Sequence, residues 1–185
     1  MNNDDRFYLI SSHTKYLAPV YNEYGELCTI AYELYRTVHV RKSPTKIIHE
    51  NCLHFGSSYK GRLKAANDIL PGQKMLPVCV SELTGLFFIP TVSPDSDECV
   101  WIGYKNVKIV IPYNEKSVVL FSDGSRLFVP MHRDILQGKF GKASHLLVTF
   151  LERQKRIQED VIQWHIDHKE RTNLLNQNPG PDITT

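Results

Sequence analysis

Hydrophobic positions change period three times along this chain. Up to about residue 42 they gather in short clusters, 7–10, 16–20, 27–32 and 37–40, separated by polar links and rich in β-branched and aromatic side chains. That composition predicts strands. Ser43-Pro44 then predicts a helix start. A hydroxyl oxygen accepts one of the unpaired N–H groups there, and proline lacks a donor that the first turn cannot use. Ile48, Cys52 and Phe55 recur at i, i+4, i+7 with Lys46 and Glu50 opposite, and Gly56 follows as the stop. From Ser57 a second short helix carries the stripe Tyr59, Leu63, Ala66 and Leu70, although Gly61 lies inside it, and Pro71-Gly72 closes it.

The middle of the chain reads as strands again, at 75–80, 86–89, 100–104, 107–111, 118–121 and 126–129. Asp123-Gly124 joins the last two, a strong short hairpin signal. An acidic, proline-containing loop occupies 90–99. After Pro130 the period lengthens: Ala143, Leu146, Leu147, Phe150, Leu151, Ile157, Val161 and Trp164 line one side of a helix over roughly 141–168, about 40 Å long. Residues 171–185 are poor in charge and apolar side chains and are expected to be a disordered tail. The pattern predicts an α+β fold: a mostly antiparallel β core, two short helices near 44–70 and a long C-terminal helix, in a single domain over 1–170.

Composition narrows the class. Of the 185 residues 42% are hydrophobic and 23% charged, as in soluble globular chains. The longest apolar runs, 86–90 and 107–112, are too short to span a bilayer, so no membrane partner is expected. The polar, acidic start over 1–6 does not read as a secretory signal, and a cytoplasmic protein is expected. Cys28, Cys52, Cys79 and Cys99 form no CxxC pair and are expected to be buried free thiols in a reducing compartment.

Net charge is only +2, which at first disfavours nucleic acid. The average conceals a block. Arg36, Arg41, Lys42, Lys46, Lys60, Arg62 and Lys64 face a single acid, Glu50, so residues 36–64 carry a formal +6 and the rest of the chain −4. A concentrated block of this kind suits a polyanion, because each neutralised phosphate releases condensed counterions. Within it, Gly56-Ser-Ser-Tyr-Lys-Gly61-Arg-Leu has the glycine spacing of a phosphate loop. Arg62 stands where the lysine is needed and Leu63 where the magnesium-binding hydroxyl is needed, so nucleotide hydrolysis is not expected. What remains is glycine and serine N–H and hydroxyl groups beside Lys60, Arg62 and Lys64, a surface for an anion, or alternatively a plain link between helices.

Catalytic patterns are weak. Cys52 lies on the apolar stripe, His165 and His168 have no third ligand nearby, and neither G-x-S-x-G nor H-E-x-x-H occurs. The expectation is a protein that is not an enzyme, with no cofactor and no metal.

The run Cys52-Leu-His-Phe-Gly-Ser-Ser-Tyr-Lys-Gly-Arg62 closely resembles the hallmark segment of the ComK family, competence transcription factors of Gram-positive bacteria. Lys46-Ile-Ile, Phe88-Ile-Pro-Thr91, Trp101-Ile, Asn106-Val-Lys108 and Phe121-Ser-Asp-Gly124 support it in order, over roughly residues 38–150. The resemblance implies a sequence-specific DNA-binding transcriptional activator of competence, associated with the nucleoid. It would read paired A/T-rich boxes largely through the minor groove and bind as a homodimer or higher homo-oligomer. Within that reading Arg62 and Arg41 are candidates for entering the groove, Lys42, Lys46, Lys60 and Lys64 for phosphates, and Ser57 and Ser58 for hydroxyl contacts. The resemblance also implies MecA/ClpC-type adaptor-protease control through an apolar-aromatic motif in the C-terminal region. Here the chain departs: residues 173–183 hold no aromatic, and Leu174-Leu175 is the nearest apolar pair. The outer part of the long helix, Ile157 to Trp164, is a candidate self-association surface. The alternative function is a protein-interaction module or regulatory adaptor that acts through this helix without touching DNA.

Overall fold

The computed structural model describes residues 7–177. Residues 1–6 and 178–185 lie outside the described residues, and with them most of the expected tail. Contacts divide the chain into two compact units, Met1–Leu147 and Val148–Thr185.

In the first unit, β1 (Thr14–Tyr21), β2 (Leu27–Glu33) and β3 (Thr37–Val40) form a meander, followed by α1 (Pro44–His54) and α2 (Tyr59–Ile69). Three more strands, β4 (Val78–Ser81), β5 (Leu86–Pro90) and β6 (Trp101–Gly103), complete a six-stranded sheet of order β3-β2-β1-β6-β5-β4, antiparallel throughout. A 3-10 turn, Tyr104–Asn106, leads into a second antiparallel sheet of β7 (Val107–Tyr113), β8 (Lys116–Phe121) and β9 (Arg126–Val129). The helix α3 follows, Arg133–Gln177. The α+β class with a mostly antiparallel core is therefore the observed one.

Both faces of the large sheet are covered, which explains why its central strands read as continuous apolar runs rather than alternating ones. On one face Leu17, Ala31, Val78, Val80, Phe88 and Trp101 pack with Ile47, Ile48 and Cys52 of α1. On the other, their chain neighbours Tyr16, Ile89 and Ile102 meet Val110, Val119, Phe121 and Val129 of the small sheet and Leu136, Phe140 and Ala143 of α3. Gly103 allows β6 to approach β1, since a Cβ there would stand 2.8 Å from the Thr14 carbonyl oxygen. Lys15 of β1 reaches the β8–β9 turn, with its ammonium 2.6 Å from Asp123 and 2.8 Å from the Ser125 hydroxyl.

Three elements differ from the sequence reading. Residues 7–10 belong to no strand. The buried side-chain amide of Asn51 on α1 holds them instead, accepting from the Ile10 N–H and donating to the Tyr8 carbonyl, each at 2.8 Å. Residues 75–77 stay outside β4, and Met75 has a left-handed φ of 50°. The helix α3 begins at Arg133 rather than near 141, because Leu136 and Phe140 already belong to the buried stripe. That burial outweighs the helix cost of Gly138 and Gly141. At its other end residues 171–177, expected within the tail, continue the helix.

Candidate nucleic-acid interface

The link between α1 and α2 is built by its sequence in a determinate way. Gly56 takes φ 80° just past the end of α1, its N–H bonding the Leu53 carbonyl and the Ser57 N–H bonding the Cys52 carbonyl. Two bonds of that pattern close a helix with a residue in the left-handed region, which favours glycine. Ser58 then caps α2, its hydroxyl oxygen accepting from the Gly61 N–H at 3.0 Å. A Cβ on Gly61 would crowd both serine hydroxyls, at 3.2 and 3.3 Å. Tyr59 lies on His49 with ring centroids 4.0 Å apart and meets the edge of Trp101. Burial lowers the pKa of His49, against a weaker raising effect from Asp95. Phe-Gly-Ser-Ser-Tyr-Lys-Gly-Arg is thus largely a device for turning one helix into the next.

Four of the seven cations in the 36–64 block are engaged with carboxylates. Arg36 pairs with Glu33, Arg41 with Glu26, Lys42 with Glu50 at 2.9 Å, and Arg62 with Glu82. Arg62 also donates to the Phe55 carbonyl, and its side chain is only 11% exposed. That leaves little of the guanidinium to enter a groove. Lys42 is as deeply set, and Arg41 is exposed. Lys46 on α1 and Lys60 and Lys64 on α2, one turn apart, are exposed and make no ion pair among the described residues. Ser57 is half-buried and Ser58 is exposed apart from its capping bond.

The count from the sequence missed Glu26, Glu33 and Glu82, which come from the β1–β2 turn, the end of β2 and the β4–β5 turn. Glu33 lies three residues before Arg36, just outside the counted block, whereas Glu26 and Glu82 are brought in by tertiary pairing. Also missed was a face of the small sheet where Ile109, Ile111, Tyr113 and Phe128 stand exposed. The apolar run at 107–112 was its one visible trace.

Among the described residues no group of three or more His, Cys, Asp or Glu side chains is placed to hold a metal ion. No described helix is long and apolar enough to cross a membrane. The four cysteines are buried and unpaired. Burial pushes the Cys52 thiol up to about 11 and the Cys79 thiol up to about 12, against the opposing field of Arg62.

The family model for the ComK protein matches residues 5–155. This chain belongs to the ComK family. It is 25% identical over 130 residues to the competence transcription factor of Bacillus subtilis (strain 168), an alignment that covers 70% of this chain and 68% of that protein. No solved structure matches it. The match extends beyond the 38–150 stretch that carries the motifs, chiefly by reaching back to the segment that Asn51 clasps.

Proposed function

We propose that this ComK-family chain is a sequence-specific, DNA-binding transcriptional activator that recognises A/T-rich boxes largely through the minor groove, as a homodimer or higher homo-oligomer. One observation carries the DNA-binding part. The α1–α2 hairpin exposes Lys60 and Lys64 beside a capped glycine–serine link and Lys46 in the first turn of α1, and none of the three makes an ion pair among the described residues. Such cations contact phosphates without reading sequence. Ser57 and Ser58 add hydroxyls beside them. In this reading Arg62 and Lys42 act mostly from within, fixing α2 to the β4–β5 turn and α1 to the residues before it, while the exposed Arg41 pairs with the β1–β2 hairpin. The name of the B. subtilis relative supports transcription as the process served.

Self-association is proposed for the second unit, where Ile157, Val161 and Trp164 stand exposed on successive turns of α3. Adaptor-delivered proteolysis is a further proposal carried by the family reading alone.

Titration of duplexes with and without A-tracts, at several salt concentrations, tests the DNA reading. The expected outcome is tighter binding to A-tracts and an affinity that falls steeply between about 50 and 200 mM salt. Equal affinity for all duplexes, or none at any salt, would sink it.

A further inference from the structure

An antiparallel sheet that covers a core on one side ordinarily turns polar side chains to the other. The small sheet does not. Its register aligns three rows across the outer face: Ile109–Leu120–Arg126, Ile111–Val118–Phe128 and Tyr113–Lys116. Ile109 is 51% exposed, Ile111 41%, Tyr113 54% and Phe128 58%, and the last two meet edge to face at 5.5 Å. Arg126 ends the first row on β9, Lys116 ends the third on the central strand β8, and Lys108 is the second residue of β7, at its bulge. All three are exposed, and none makes an ion pair among the described residues. No acid lies in the rows; Glu115 sits in the β7–β8 turn, and Glu98 lines a cavity beside Phe128 at the β9 edge. An apolar face of this extent marks an interaction site. A second copy placed face to face on it would bring rim cations onto rim cations, which disfavours that occupant.

Resting on the DNA-binding reading above, we infer that the outer face of β7–β9 is the platform that reads the minor groove of A·T-rich duplex DNA, with Ile109, Ile111 and Phe128 over the base edges and Lys108, Lys116 and Arg126 at the phosphates. Two features fit. Three strands are about 10 Å across, so the groove must open, and apolar side chains wedged against base steps are a known means of opening it. The floor of an A·T minor groove displays only acceptors, while G·C adds the guanine amino donor. An apolar surface pressed on that donor strips its water and returns no acceptor, so the face itself rejects G·C. The pairing of Arg62 with Glu82 takes one groove candidate out of reach and leaves room for such a second reader.

The test compares the full-length chain with Phe128→Ser and Ile109→Ser, both at exposed positions, on four duplexes: an A/T box, its G·C replacement, an inosine·cytosine version, and a 2,6-diaminopurine·thymine version. Folding is checked by circular dichroism. The unmodified chain should bind the inosine duplex like the A/T box and the diaminopurine duplex like G·C, because only the minor-groove amino group changes. Each variant should lower the A/T over G·C affinity ratio at least about fivefold, with low-salt binding to the G·C duplex kept. Variants that retain the full ratio while the unmodified chain discriminates would overturn the platform and leave the DNA reading intact. So would variants that lose only transcription with purified polymerase, or only self-association, since the face would then serve a protein. If the unmodified chain does not prefer A/T, the underlying reading fails and the platform with it.

Discussion

Arg62 and Lys60 are two positions apart on α2 and face different worlds. Arg62 is nearly covered and bound to Glu82 and the Phe55 carbonyl, whereas Lys60 is exposed. Arg62→Ala should destabilise the fold by about 1–2 kcal/mol, read as a lower urea midpoint, since it strands a partly buried carboxylate and an acceptor. Lys60→Ala should leave that midpoint unchanged, weaken every duplex alike and reduce the salt slope by about one. A normal midpoint for Arg62→Ala combined with lost A-tract preference would return the groove role to Arg62. The cysteines make a second residue-scale case. With the thiols of Cys52 and Cys79 held near 11 and 12 by burial, neither should react with a thiol reagent at neutral pH until urea exposes it. The burial of Cys52 was legible from its place on the i, i+4 stripe. The partner of Arg62 was not, because Glu82 lies twenty residues away on another element.

Among the elements, the helices were the most legible, for their ends are chemical: Ser43 and Ser58 cap, and Gly56 stops α1 with a left-handed turn. Residues 7–10 look like a strand because their side chains are those of one, yet their backbone partner is the Asn51 amide, which no periodicity reveals. The start of α3 was read late because Gly138 and Gly141 lower helix propensity, and only packing shows that Leu136 and Phe140 pay for them. The tie between β1 and the β8–β9 turn offers a pH prediction. Burial opposes ionisation of Asp123, but Lys15, the Ser125 hydroxyl and the Ser125 N–H outweigh it and hold the carboxyl at about 2, below its usual 3.8. A folded value below the unfolded one gives stability that is present above pH 3.8 and lost as pH falls through about 2. Asp123→Asn should therefore lower the urea midpoint at neutral pH, and its deficit against the unmodified chain should shrink on acidification toward pH 2. A deficit independent of pH would mean that the turn geometry, not the ion pair, is what the substitution damages.

At the scale of the whole molecule, two apolar surfaces are left open, the outer face of β7–β9 in the first unit and the Ile157–Val161–Trp164 stripe in the second. Sedimentation velocity separates their roles. Val161→Asp should shift the chain toward monomer while monomer-level DNA binding persists, and Phe128→Ser should leave the mass unchanged. A monomeric unmodified chain at micromolar concentration would remove the stripe as a self-association surface. By itself the sequence determined the class of fold, the capped corner at 43–62, the buried thiols and the family, because each depends on residue type at fixed short spacing. Only the tertiary structure decided which cations remain available and which strand face stays open. Arg41 and Arg62 pair with acids fifteen and twenty residues away, and a strand with apolar residues on both sides gives no local sign of which side the fold will cover. The +6 read from residues 36–64 is real as composition; Glu26, Glu33, Glu50 and Glu82 then pair with four of its cations, which leaves Lys46, Lys60 and Lys64 without an ion pair among the described residues and Arg36 and Arg41 exposed but paired.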